Sequence, residues 1–132
     1  MTTIVGLSPD RLIDRPHFDA VRARMGESVF DPALKEVLRQ LWKIARTVAT
    51  AEAVADARRA VKQILVIADR FGLSAVRDRA EAVKRALAGF PREGTPPPEA
   101  EALWEKLRDA LWETQALIES GSLYQRGSKR AA

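Results

Sequence analysis

Apolar residues recur three and four positions apart along most of the chain. One stripe runs Leu34, Val37, Leu38, Leu41, Ile44, Ala45 and Val48; a second runs Val54, Ala57, Val61, Ile64, Leu65, Ala68 and Phe71. A third holds Leu73, Val76, Ala80, Val83 and Leu87, and a fourth Leu103, Leu107, Ala110, Leu111, Thr114, Leu117 and Ile118. This is the period of an α-helix with one buried face. No useful length of β-alternation and no internal repeat interrupts it. The stripes predict long helices near 32–49, 52–71, 75–88 and 98–120, after short ones near 9–14 and 16–25.

The punctuation between stripes is helical too. Ser8-Pro9 and Asp31-Pro32 each set a capping side chain before a proline suited to the first helical position. Ser74 is placed to cap a helix starting at Ala75. Gly26, Gly72, Gly89 and Gly121 each follow a last turn. The one clear loop is GFPREGTPPP, residues 89–98, whose three consecutive prolines predict an extended spacer. Short connections make sequential helices antiparallel neighbours. The expected fold is all-α, an antiparallel up-and-down four-helix bundle with a short N-terminal helical cap over 9–25. It forms a single domain over 1–121, followed by a basic flexible tail over 122–132.

Composition narrows the function classes. A chain of 132 residues suits one domain, and 46% hydrophobic with 30% charged residues is a globular rather than a disordered balance. The absence of cysteine excludes disulfides and thiolate metal sites. The longest aliphatic run, Ile64 to Ala68, is far short of the ~20 residues that span a bilayer. MTTIVGLSPDRL does not read as a secretion signal. A bacterial-type cytoplasmic protein without a membrane partner is the expectation. The net charge of +4 is uneven: residues 89–120 are acidic, while 51–88 and 121–132 are basic. A nucleic-acid binder concentrates basic charge along one face. Here an acidic helix follows a basic pair, so charge matching between helices accounts for the spread and nucleic acid is not the expected partner.

Catalytic groups are scarce. His17 is the single histidine, and without cysteine it makes a transition-metal site improbable. There is no Gly-rich phosphate loop, nucleophile elbow or zinc motif. No Glu-x-x-His pair exists for a di-iron bundle. Glu52 with Asp56, and Glu101 with Glu105, are spaced as on any solvated helix face. The chain is therefore expected to be no enzyme and to need neither cofactor nor metal. The tryptophans are more informative. Trp42 and Trp104 flank their stripes and belong at the core's edge. Trp112 lies roughly 140° from its stripe centre at ~100° per residue, so it faces outward or into a partner, as interface tryptophans do.

The stretch VKQILVIADRFGLSAVRDRAEAVKRAL, residues 61–87, resembles histidine-containing phosphotransfer domains. These are helical bundles that carry phosphate between receiver domains in bacterial and plant phosphorelays. Their signature is His-x-x-Lys-Gly on one helix, a glycine turn ten residues after the histidine, and a third helix with spaced apolar residues. Phe71-Gly72-Leu73 is similar to that turn, and Val76, Ala80 and Val83 fall where the third helix has its apolar residues. Counting ten back from Gly72 reaches Lys62, with Leu65 and Val66 where the family has lysine and glycine. The register Arg59-Ala60-Val61-Lys62-Gln63 supplies no histidine either.

The resemblance, which covers about residues 30 to 120, implies a degenerate member that lacks the phosphoacceptor. Such a protein would bind a response-regulator receiver domain or a histidine kinase without carrying phosphate. Arg58, Lys62, Val66 and Asp69 lie near one line beside the apolar stripe. Arg58 and Lys62 would complement a receiver's acidic pocket. The other readings stay open: the row is a solvated helix flank, and the chain is an unrelated structural or adaptor bundle. In that case it self-associates, or meets a helical partner, through Trp112 or the tail.

Overall fold

The structure is a computed structural model that describes residues 9–121 and 123. Every regular element among them is a helix. These are α1 (Pro9–Leu12), α2 (Arg15–Met25), α3 (Glu27–Thr50), α4 (Val54–Phe71), α5 (Ser74–Leu87) and α6 (Pro98–Glu119). Helix α3 packs on α4, α4 on α5 and α5 on α6, and α6 returns to α3. Helix α2 packs across α3 and α4, and α1 across α5 and α6.

Two glycines set the helix boundaries that matter most. Gly26 has φ 87°; its N–H donates to Arg22 O, and its carbonyl accepts from the N–H groups of Val29 and Phe30. One residue thus ends α2 and starts α3, so α3 begins at Glu27 rather than at 32. Pro32 lies inside the helix, where it withholds a backbone donor instead of starting the turn. An ion pair between Arg22 and Glu27, at 2.8 Å, spans the junction.

Gly72, with φ 71°, closes α4 in the left-handed conformation. The N–H of Leu73 reaches back to Ala68 O at 2.9 Å, a Schellman-type close. Ser74 is then the first residue of α5 and makes no side-chain cap, contrary to the sequence expectation. Gly89 follows the last turn of α5 as expected, but without a left-handed close. Helix α5 stops at Leu87 with Ala88 still helical in conformation, and Gly89 has no positive φ.

The proline-rich loop is only partly a spacer. Pro97 is extended (φ −72°, ψ 157°), but Gly94 N–H turns back to Pro91 O at 3.0 Å. Two loop carbonyls, Gly94 O and Arg92 O, accept from the N–H groups of Val54 and Ala55 at 2.8 and 2.9 Å. The loop therefore supplies the cap that α4 lacks in its own sequence, satisfying donors that a helix start leaves open. It also fixes α4 at Val54 and leaves Glu52 in the preceding turn, off the helix face where Asp56 sits.

The stripes point inward. Leu34, Leu41, Val61, Ile64, Leu73, Leu87, Leu107 and Leu111 are fully buried. Val37, Ile44, Leu65, Leu103 and Leu117 pack against the core only in part. Phe30 joins the cap to the long helices. Its ring meets Phe18 of α2 edge-on at 5.2 Å and Phe71 of α4 at 6.0 Å. Leu123, within the segment expected as tail, is buried, and its carbonyl accepts from Arg15 at 3.0 Å. The rest of the tail lies outside the described residues. No helix among the described residues is long and apolar enough to cross a membrane.

Candidate functional site

Helix α4 exposes the row read from the sequence, and the row divides in two. Arg58, Lys62, Val66 and Asp69 are all exposed, Val66 by 60% despite its apolar side chain. At the N-terminal end Arg58 and Lys62 border a hollow of about 290 Å³ shared by α4, α5 and the loop after α5. Its other walls are Ala55, Arg59, Lys84, Ala88 and Arg92. Five of the seven lining residues are cationic and none is acidic. Arg59 pairs with Asp56 at 3.3 Å, and Lys84 stands 3.9 Å from Glu81. Arg58, Lys62 and Arg92 have no ion-pair or side-chain hydrogen-bond partner among the described residues. Helical spacing on α4 points to Arg58 and Lys62 but not to Arg59, Lys84 and Arg92. Arg59 is one position from Arg58 and could have been included. Lys84 and Arg92 come from another helix and a loop, and only tertiary packing brings them there.

The C-terminal end of the row is already engaged. Asp69 receives Arg77 of α5 at 3.1 Å, an ion pair across the Gly72 turn. The Asp69 and Arg70 carbonyls each lie 3.0 Å from His17 Nε2. Both are acceptors, so Nε2 carries the proton and donates to the last turn of α4. His17 is thus a clasp between α2 and the end of α4. More than fifty residues separate these partners, so nothing local in the sequence announces the contact.

Trp112 does not join this face. It lies on α6, 66% exposed, with its ring edge-on to Trp42 of α3 at 6.5 Å. Trp42 is half-buried, and its indole N–H donates to Gln115 Oε1 at 2.6 Å. Trp104 is also half-buried against the core. A larger groove of about 700 Å³ runs along the same α3–α6 seam, over Leu34, Leu38, Trp42 and Ile118. Arg39, on its wall, hydrogen-bonds Glu36 and holds that carboxyl below its ordinary range.

No group of three or more His, Cys, Asp or Glu among the described residues could hold a metal ion. Comparison with family models, with curated proteins and with solved structures finds no match for this chain.

Proposed function

We propose that this chain is a non-catalytic docking protein of the phosphotransfer type. It engages a receiver domain or a histidine kinase through the exposed face of α4 and carries no phosphate. On this reading α3 to α6 close as an up-and-down four-helix bundle capped by α1 and α2, and the closed circuit of helix contacts supports it. The observation that carries the docking reading is Lys62. It stands exposed ten residues before the Gly72 turn, where the resembling family keeps its phosphoacceptor, beside Arg58 and Arg92, which no acid among the described residues pairs with. An acidic receiver pocket is complementary to that charge. Complementarity of this kind sets partner choice and association rate.

If the face is a docking scaffold that lost its chemistry, chemistry can be put back. The triple change Lys62→His, Leu65→Lys, Val66→Gly recreates His-x-x-Lys-Gly in the register of Gly72. Positions 62 and 66 are exposed and Leu65 is only half-buried, so a lysine there can send its ammonium to solvent. The glycine costs about 1 kcal/mol in mid-helix. The expected result is a helical variant that takes label slowly from a phosphorylated receiver, while the parent chain takes none. A folded triple variant that binds no receiver and takes no label argues for an unrelated bundle.

A second reading rests on Trp112, whose exposed ring on the α3–α6 seam is suited to self-association. Trp112→Ala is expected to leave helicity unchanged. If the chain dimerises there, the substitution weakens the dimer by about 2 kcal/mol, as loss of an aromatic anchor does. Sedimentation equilibrium reads the difference. Equal association by parent and variant removes this reading.

A further inference from the structure

We infer that the hollow between the start of α4 and the end of α5 is a binding site for oligophosphate, either free or carried on a nucleoside. It goes beyond docking, because it needs no protein partner. Its walls come from three separate pieces of chain: Arg58, Arg59 and Lys62 on α4, Lys84 on α5, and Arg92 on the loop. Arg92 is not on a loose segment. Its carbonyl is tied to the Ala55 N–H at 2.9 Å, and Gly94 is tied to Val54. The loop therefore holds a fifth cation against the other four.

Ala55 and Ala88 line the same hollow. Their small side chains leave the space open. The positive end of α4 and the negative end of α5 meet here and oppose each other, so the field comes from the side chains. Asp56 and Glu81 partly neutralise Arg59 and Lys84. Among the described residues Arg58, Lys62 and Arg92 have no acidic partner.

Three such cations around a cavity at the small end of ligand pockets suit a compact, multiply charged anion. Arginine matches phosphate oxygens with its fork of donors, and lysine supplies a point charge. A phosphate chain can meet cations on all three walls at once, whereas a single phosphate reaches fewer.

The test is a nitrogen-15 amide titration of the full chain with inorganic tripolyphosphate, repeated with sulfate and with ATP. Saturable one-to-one binding is expected, with shifts centred on residues 55–62 and 84–92. Sulfate should bind more weakly, and ATP about as well as tripolyphosphate. Lys62→Glu is expected to raise the dissociation constant roughly tenfold, the loss of one charge-assisted contact. Lys84→Glu, on the opposite wall, should do the same. Lys106→Glu on α6 makes the same change in net charge outside the hollow and should have little effect; circular dichroism checks that all three variants fold. Unsaturable shifts, shifts centred on Arg126 to Arg130, or equal losses from Lys62→Glu and Lys106→Glu would overturn the site. So would binding of ATP without binding of tripolyphosphate. A chain that docks receivers yet ignores tripolyphosphate would defeat this inference and leave the docking proposal standing. The converse result would separate them the other way.

Discussion

Phe30→Ala is expected to destabilise the protein by about 4 kcal/mol, the usual cost of emptying a buried phenylalanine site. The ring is fully buried and touches Phe18 and Phe71. Its removal opens the junction of cap and long helices at a point where three helices must move together to fill the void. Aromatic contacts of this geometry add roughly 0.5–1.5 kcal/mol beyond area burial. Val29, its neighbour in sequence, is 55% exposed, and Val29→Ala should cost less than about 0.5 kcal/mol. Urea denaturation of the two variants side by side checks the contrast. Similar midpoints would mean that the phenylalanine cluster does not hold the cap.

Gly72→Val should cost about 3 kcal/mol, through two separate effects. The backbone at Gly72 has φ 71°, a conformation that costs a residue with a side chain roughly 1–2 kcal/mol. There is also no room. A Cβ at Gly72 would lie 3.0 Å from His17 Cδ2 and 3.2 Å from both Asp14 O and Phe18 N. Two of those three atoms are backbone and cannot swing away, and overpacking of this kind adds about 1–3 kcal/mol. The Asp14 N–H also donates to Gly72 O at 2.8 Å. Displacing the turn therefore pulls on the entry to α2. Gly26 is open around its Cβ, but its backbone, at φ 87° and ψ 141°, lies outside the left-handed region in a conformation that glycine alone adopts readily, so its conformational cost is not that of Gly72. The informative limit is set at Gly72 itself: a loss no larger than the roughly 1–2 kcal/mol of the left-handed conformation would show that crowding against α2 contributes nothing.

Helix existence was legible because amphipathic periodicity is a local signal repeated over many residues. The inward residues Leu41, Val61, Ile64, Val76, Leu107 and Leu111 follow directly from it. Boundaries were less legible where two local rules competed. Asp31-Pro32 has the form of a helix start, but Gly26 supplies an earlier one, and α3 accommodates the proline. Ser74 has the form of a cap, but the turn at Gly72 brings the helix on one residue sooner. The candidate site divides along the same line. Arg58, Lys62 and Val66 could be read from helical spacing on α4. The contributions of Lys84 and Arg92, and the engagement of Asp69 by Arg77 and of the Asp69 carbonyl by His17, depend on how α4, α5, α2 and the loop pack. No spacing rule within one helix carries that information.

The docking proposal meets its most direct test in titrating unphosphorylated receiver domains into the protein and its Lys62→Glu variant, with binding followed by calorimetry and mapped by amide shifts. The predicted result is that at least one receiver binds on the α4 face around Arg58, Lys62 and Val66, more weakly as salt rises. Lys62→Glu should weaken that binding by roughly tenfold, while Trp112→Ala should leave it unchanged. Binding by no receiver, or binding that Lys62→Glu leaves intact, would contradict the proposal.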